Sequence, residues 1–292
     1  MKNIVSNKTF GEERALYALT DASVEGCIFA GEADGESALK ECRGVKIHNC
    51  RFDLRYPLWH AEDFSLTDSF MAVSCRAPMW YTKLGTIRHC HISGVKALRE
   101  CDDTLIDNSK ISSPEFGWKC RKVNIRLSDI TSEYLLFDSR DVEISQLTMR
   151  GKYSFQYVEN MTITDSFLDT KDAFWHSKNV TVTNSTVKGE YLGWYSENLT
   201  LIDCHISGTQ PLCYCKGLKL INCTMDNTDL SFEYSDVEAD ISGTVMSVKN
   251  PRSGYIKAYG YGEIILEDAV METNCKIEVK DLGIADKIKN WE

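Results

Sequence analysis

The sequence predicts an all-β fold, a single-stranded right-handed parallel β-helix of about twelve 19-residue coils with a cap at each end. The first observation behind this is a near-duplication. The stretch HSKNVTVTNS, beginning at His176, returns nineteen residues later as YSENLTLIDC, beginning at Tyr195. The second is a constant step. A unit of the form apolar-x-apolar-x-x-Ser/Cys-x-apolar recurs, with its small residue at Cys27, Cys50, Ser69, Cys90, Ser109, Ser128, Ser166, Ser185, Cys204, Cys223 and Ser242, and Leu147 filling the one gap. From Cys90 onward every step is 19, and the earlier ones are 23, 19 and 21. A fixed period near this length marks a solenoid.

The third observation is what each column holds. Five and three residues before the small reference residue lie Val45 and Ile47, Val123 and Ile125, Val180 and Val182, Leu199 and Leu201. Two after it lie Phe52, Ile92, Ile130, Val187 and Ile206. Apolar residues two apart, many of them β-branched, are strand faces. Six before it stand Asp21, Gly44, Asp63, Asp141, Asn160, Asn179 and Asn198, types that tolerate the left-handed backbone of a sharp corner. Each unit thus reads as three short strands and three corners, with no room for a helix. Nineteen residues cannot bury such faces alone, whereas stacked coils share one interior. A leucine-rich repeat lacks its signature here, and a hexapeptide β-helix is broken by the Asn/Asp corner. Right-handed winding follows from the chirality of parallel crossovers.

A single domain, 1–292, is expected. Residues 1–14 read as an N-terminal cap, 15–245 as regular coils, and 246–292 as a Tyr/Gly-rich insertion, a last coil and a C-terminal cap. Such lids are needed because a bare end coil exposes strand edges and core.

The chain has 292 residues and a net charge of −10, with both signs interspersed. There is no basic stripe for nucleic acid and no polybasic patch for a membrane surface. No run approaches the ~20 apolar residues of a membrane span. The N-terminal stretch has no apolar signal core, so a cytoplasmic location is expected. The twelve Cys include no C-x-x-C pair and no zinc-type spacing with His. They read as reduced, buried thiols, with Cys101 and Cys120 stacked on adjacent coils, and no metal or cofactor is expected.

The Asn-x-x-x-apolar-x-x-Ser/Cys-x-apolar coils resemble the right-handed β-helix superfamily of pectate lyases and polygalacturonases. The segments FGEERALYAL and FAGEADGESALKEC, together with the Trp-rich coils, more narrowly resemble a bacterial and fungal family catalogued as domain of unknown function 3737. That resemblance implies the fold and no established activity, so it assigns no catalytic residue.

The first strand of each coil carries the candidate site. Columns eleven and eight before the reference, such as Leu98 and Cys101, read as inward. They are three apart, so a bulge or bend must interrupt alternation between them. Between them run Trp59, Trp80, Arg99, Trp118, Phe137, Gln156, Trp175 and Trp194 in one column, and His60, Tyr81, Glu100, Lys119, Asp138, Tyr157, His176 and Tyr195 in the next. Lys40, Arg99 and Gln156 fit a dry core poorly, which places both columns outside or half outside. Strict alternation would instead turn the Trp inward, the usual place for large apolar residues.

An outer aromatic stripe suits stacking of sugar rings, and oligosaccharide is the expected partner. The substrate-binding candidates are Trp59, Trp80, Trp118, Phe137, Trp175, Trp194, Tyr157, His176 and Tyr195, with Arg121 and Arg140 beside them. If the protein is an enzyme, Glu100, Lys119 and Asp138 are the catalytic candidates for a polysaccharide lyase or glycoside hydrolase. At about 4.8 Å per rung, Glu100 and Asp138 stand roughly 10 Å apart. That is slightly beyond the ~6.5–9.5 Å of an inverting glycosidase pair. A solvated ladder of alternating charges gives the same pattern. The alternative function is a noncatalytic scaffold that self-associates through the same stripe into a homo-oligomer.

Overall fold

The structure, a computed structural model, describes residues 3–33 and 35–281. Residues 1 and 2 of the expected N-terminal cap and 282–292 of the expected C-terminal cap lie outside the described residues. The chain divides into two compact units, Met1–Leu168 and Asp169–Glu292. Each is built of stacked parallel coils, about fifteen turns in all, and no helix occurs among the described residues.

The 19-residue step is the ladder register itself. In the first unit Lys83–Arg88 pairs in parallel with Asp102–Asp107, that strand with Arg121–Arg126, and that one with Arg140–Ser145. In the second, Lys178–Thr183 pairs with Glu197–Ile202. Identical positions therefore lie over one another, and each strand face becomes a column of like residues. Inward columns fill the core: the rings of Phe29 and Phe52 stack with centroids 4.7 Å apart, and both are fully buried.

The corners exceed the three expected. Within one repeat Lys96, Glu100, Asp103 and Asn108 all have positive φ, at 57°, 51°, 59° and 44°. The next repeat does the same at Glu115, Lys119, Lys122 and Leu127, and adds a fifth at Gly117, with φ of 79°. Two of these corners favour Asn, Asp or Gly, as the sequence suggested. The other two carry residues of any type, and those are invisible to a composition rule.

The Ser/Cys column has a local cause. At Ser69 the side chain is 5 % exposed; its hydroxyl accepts from the Cys50 amide at 3.0 Å and donates to the Thr67 carbonyl at 2.8 Å. Ser109 and Ser128 repeat this arrangement. A small polar side chain thus satisfies buried backbone groups that the tight corner leaves unpaired. The recurring Ser are structural for this reason. Corner side chains also bond vertically, with Asn160 donating to Asp141 at 3.1 Å and, in the second unit, Asn198 to Asn179 at 3.0 Å.

The turn count is fifteen and not twelve because coils extend into the segments expected as caps. Asn3–Ser6 pairs with Ala22–Glu25 in the same 19-residue register. At the other end Ser253–Ala258 pairs with Asp236–Ile241 on one side and Lys276–Val279 on the other, and Thr244–Lys249 pairs with Gly260–Ile265. The Tyr/Gly-rich segment is therefore wall and not insertion. Its register falls to 17 residues between Asp236 and Ser253, which hid it from a search at 19.

All twelve cysteines are free thiols, and every one except Cys275 is buried. Cys101 and Cys120 stack on adjacent coils, the Cys101 amide lying 3.5 Å from Cys120 Sγ. Burial pushes Cys42 up to about 12 and Cys90 up to about 11. The folded state thus holds protons that the unfolded chain releases near the ordinary thiol value of ~8.5. The thiol contribution to stability is complete below that value and is lost as pH rises from there toward 11 or 12. Melting temperature should accordingly fall with pH above ~8.5. A thiol reagent at neutral pH should modify Cys275 alone in native protein and all twelve after unfolding. Rapid native labelling of several thiols would contradict the buried column.

Candidate functional site

The first strand of the coil departs from alternation because of one backbone position. The residue nine before the reference has positive φ in coil after coil: Glu41 61°, His60 56°, Tyr81 61°, Glu100 51°, Lys119 54°, Asp138 54° and Tyr157 58° in the first unit. In the second unit His176, Tyr195 and Tyr214 do the same at 54°, 59° and 60°. A left-handed residue reverses the side-chain alternation locally. Columns eleven and eight before the reference can then both point inward, as Leu98 and Cys101 do, while the two columns between them both point out.

The Trp column is therefore on the outer wall, half-buried rather than open. Each indole is fixed at its edge by a bond to the next coil. Trp59 Nε1 donates to the Ala77 carbonyl at 2.7 Å, Trp80 to Lys96 at 2.8 Å and Trp118 to Tyr134 at 2.9 Å. In the second unit Trp175 donates to Tyr191 and Trp194 to Gln210, both at 2.7 Å. The acceptors lie at or next to positive-φ corners, where the backbone carbonyl turns away from the ladder.

Ring faces are covered by the stack itself. Trp59 lies on Trp80 with centroids 5.3 Å apart and planes 6° apart; Trp175 lies on Trp194 at 5.4 Å and 4°. Arg99 fills the rung between Trp80 and Trp118, its guanidinium 5.0 and 5.4 Å from the two rings. A cation between two aromatic faces is favourable there, so Arg99 belongs to the ladder. Phe137 continues it, 5.2 Å from Trp118 and edge-on to Tyr157 at 5.4 Å. Gln156 in the first unit and Cys213 and Phe232 in the second are buried, so the column is closed to solvent at those rungs. The sequence located this stripe and its outward side. It did not show that stacking consumes the indole faces a sugar would need.

The neighbouring column is the exposed one. Glu100, Lys119, Asp138, His176, Tyr157 and Tyr195 all reach solvent, the last two at 49 % and 43 %. In the second unit His176 stacks on Tyr195 at 5.1 Å and Tyr195 on Tyr214 at 4.9 Å. Glu100 pairs with Arg99 at 3.6 Å, and Arg121 donates to Asp102 at 2.6 Å. Arg140 is paired in the ladder with Arg121 and Glu159, and its side chain is exposed. Glu100, Lys119 and Asp138 stand on successive rungs of an open wall, a placement that suits hydrogen bonding to a ligand laid across them. Among the described residues no group of three or more His, Cys, Asp or Glu side chains is gathered to hold a metal ion.

A second cluster was not apparent from the columns considered above. His48 Nδ1 and His89 Nδ1 lie 3.3 and 3.5 Å from the two oxygens of Asp68. His48 and Asp68 stand in adjoining columns, 20 residues apart, and Asp68 and His89 are separated by the one 21-residue step, so a strict 19-residue comparison separates them.

If the indole ladder supports the wall, Trp118→Ala should lower stability by about 3 kcal/mol in urea unfolding, near the low end for buried aromatic truncations. Trp118→Phe, which keeps a ring and deletes the bond to Tyr134, should cost about 1 kcal/mol. Near-neutral values for both would mean the ring only decorates the surface.

No curated protein matches the chain. Among solved structures, the chain is similar to the surface adhesin PfbA of Streptococcus pneumoniae at 10% identity, covering 96% of this chain and 89% of that one, with a TM-score of 0.46. It is also similar to a mannuronic acid specific polysaccharide family 6 lyase from human gut microbiota, at 8% identity, 99% and 85% coverage and a TM-score of 0.36. An endo-xylogalacturonan hydrolase from Aspergillus tubingensis matches at 9% identity, 95% and 92% coverage and a TM-score of 0.33. The model of a family described as protein of unknown function, DUF3737, matches residues 3–278, and the chain belongs to that family.

Proposed function

We propose that the protein binds an extended carbohydrate chain, without turnover, along the exposed column of the first strand. One observation carries this reading: a rigid, outward ladder of hydrogen-bonding side chains, Glu100, Lys119, Asp138 and Tyr157, backed by the stacked indole and phenyl rings of the first unit. Each left-handed corner fixes its side chain's direction, and the ring stack behind it resists rearrangement. Ligand hydroxyls would meet donors and acceptors already in place, which reduces the ordering lost on binding. Tyrosine suits such a surface because it offers contact area and a hydroxyl at low entropic cost.

The charges favour a hydroxylated ligand over a second subunit. Lys119 and Asp138 are exposed in the middle of the strip, whereas the cores of protein interfaces are depleted of charged residues. Binding is favoured over chemistry because the strip is an open wall and Glu100 is engaged by Arg99. A general acid needs burial or a like-charged neighbour to raise its pKa toward neutrality.

A glycan array with purified protein tests the proposal, followed by calorimetry on the best oligosaccharide. Tyr157→Ala and Lys119→Ala should each weaken binding by about 1–2 kcal/mol while melting temperature stays near wild type. Absence of any retained glycan refutes the reading. A sizing column that shows the same substitutions splitting an oligomer would favour the self-association alternative.

A further inference from the structure

On another face of the first unit, we propose a second ligand site: an oxyanion-binding concavity formed by Lys110, His91 and Asn108, whose affinity rises as the nearby imidazoles become protonated. It is independent of the carbohydrate strip. Three successive coils build it from equivalent tripeptides, Asp68-Ser69-Phe70, His89-Cys90-His91 and Asn108-Ser109-Lys110. The central residue of each is buried, so the residues flanking it both face out. The leading residues are left-handed corners, with φ of 49°, 52° and 44° at Asp68, His89 and Asn108. The following residues, Phe70, His91 and Lys110, stand in parallel register. Between the two rows lies an open concavity of about 520 Å³ lined by these six residues together with Ser69 and Cys90. That lies within the ~300–1,000 Å³ of small-ligand sites.

The polar groups are unevenly satisfied. The Asp68 carboxylate is shared between His48 and His89, at 3.3 and 3.5 Å. Asp107, behind the site, is held by Arg126 at 3.0 Å and Arg88 at 3.5 Å, and the bond from Arg126 lowers its carboxyl pKa. Arg51 lies 4.9 Å over the Phe70 ring and bonds Asp53, and Asp129 below is paired with Arg150 at 3.3 Å. Lys110 alone among the charged lining residues has no carboxylate within 4.0 Å among the described residues. His91 makes only an edge contact to Phe70, with centroids 5.3 Å apart. Its ring nitrogens and the Asn108 side-chain carboxamide have no protein hydrogen-bond partner among the described residues.

With neutral imidazoles the lining carries no net charge, since Lys110 offsets Asp68. Protonation of His48 and His89 neutralises Asp68 through paired charge, and protonation of His91 adds a second cation and a donor beside Lys110. Histidine is the side-chain type whose charge changes between roughly pH 5 and pH 8. Ammonium, imidazolium and primary amide then offer donors to one anion, and charge-assisted bonds of this kind are the stronger class. The chemistry fits a sulfate or phosphate group, free or carried on a sugar, with Phe70 available to a sugar carrier's apolar face.

Sulfate is the suitable probe, because its charge is constant over the range in which histidine titrates. Calorimetry on the full chain, at fixed ionic strength set with chloride, should give sulfate binding about tenfold tighter at about pH 5.5 than at about pH 7.5. Lys110→Ala should weaken it about tenfold at both pH values, and His91→Ala mainly at the lower one. Imidazole resonances of His89 and His91, but not His205, should shift on titration. Galactose 6-sulfate and galactose separate the sources. Tighter binding of the sulfated sugar than of sulfate, lost in Phe70→Ala, points to a carried anion, and equal binding points to a free one. Both substituted side chains that carry charge are exposed, so the variants should melt near wild type. No measurable sulfate binding, equal affinity at the two pH values, or full affinity in both Lys110→Ala and His91→Ala would overturn the assignment.

Discussion

In each unit the structure depends on one backbone constraint: every coil must turn at the same places as the coil it rests on. Those turns are made by residues with positive φ, four or five to a repeat where the period is regular. For a residue other than glycine this conformation is disfavoured by roughly 1–2 kcal/mol. Each coil therefore begins with a penalty that parallel pairing, core burial and side-chain bonds must outweigh. The Ser/Cys column answers part of it by supplying a donor and an acceptor at the corner. The Asn and Asp ladders answer another part through vertical side-chain bonds. Read this way, the repeated sequence is the set of compensations that tight corners require.

The same constraint produces the outer stripe. Two successive side chains face out only because a left-handed residue follows the Trp position. The Trp ring then spans the gap to the next coil and caps a carbonyl exposed by that coil's own corner. Stacking of like residues at the ladder repeat brings ring faces together, so the apolar surface of the indoles is spent on neighbours above and below. What remains for solvent is ring edge, hydroxyl, imidazole and charge.

Much of this was legible in the sequence, and the limits have physical causes. The parallel coil, the buried apolar pairs, the Asn/Asp corner and the free thiols all follow from residues repeated at 19, since each occupies a position with narrow chemical demands. The first coil escaped because Lys8 stands where the other coils place Ser or Cys. The last coils escaped because their register shortens. The left-handed position of the outer strand holds Glu, Lys, Asp, Tyr and His alike, so its backbone leaves no compositional trace. The stripe was found from a different signal, two inward columns three residues apart, which shows only that alternation fails and not what the rings then contact. The cluster of His48, Asp68 and His89 joins adjoining columns and crosses one 21-residue step, so counting down one column at a fixed 19 separates these neighbours.

A ladder with these properties is better suited to reading a ligand than to reacting with it. Catalysis by carboxylates depends on environments that differ sharply over a few ångströms, one group dry and raised, another solvated and ionised. The outer column does the opposite, placing each side chain in nearly the same setting on every rung. Such uniformity favours binding that spreads over several rungs, with modest contributions from each. The corner concavity of the first unit breaks that uniformity. There the corner column holds Asp68, His89 and Asn108 in turn, so that two imidazoles bracket one carboxylate and a lysine is left without one. In a repeat protein, a column whose residues differ from rung to rung is where unlike side chains are brought together, and a chemically distinct site is most readily built there.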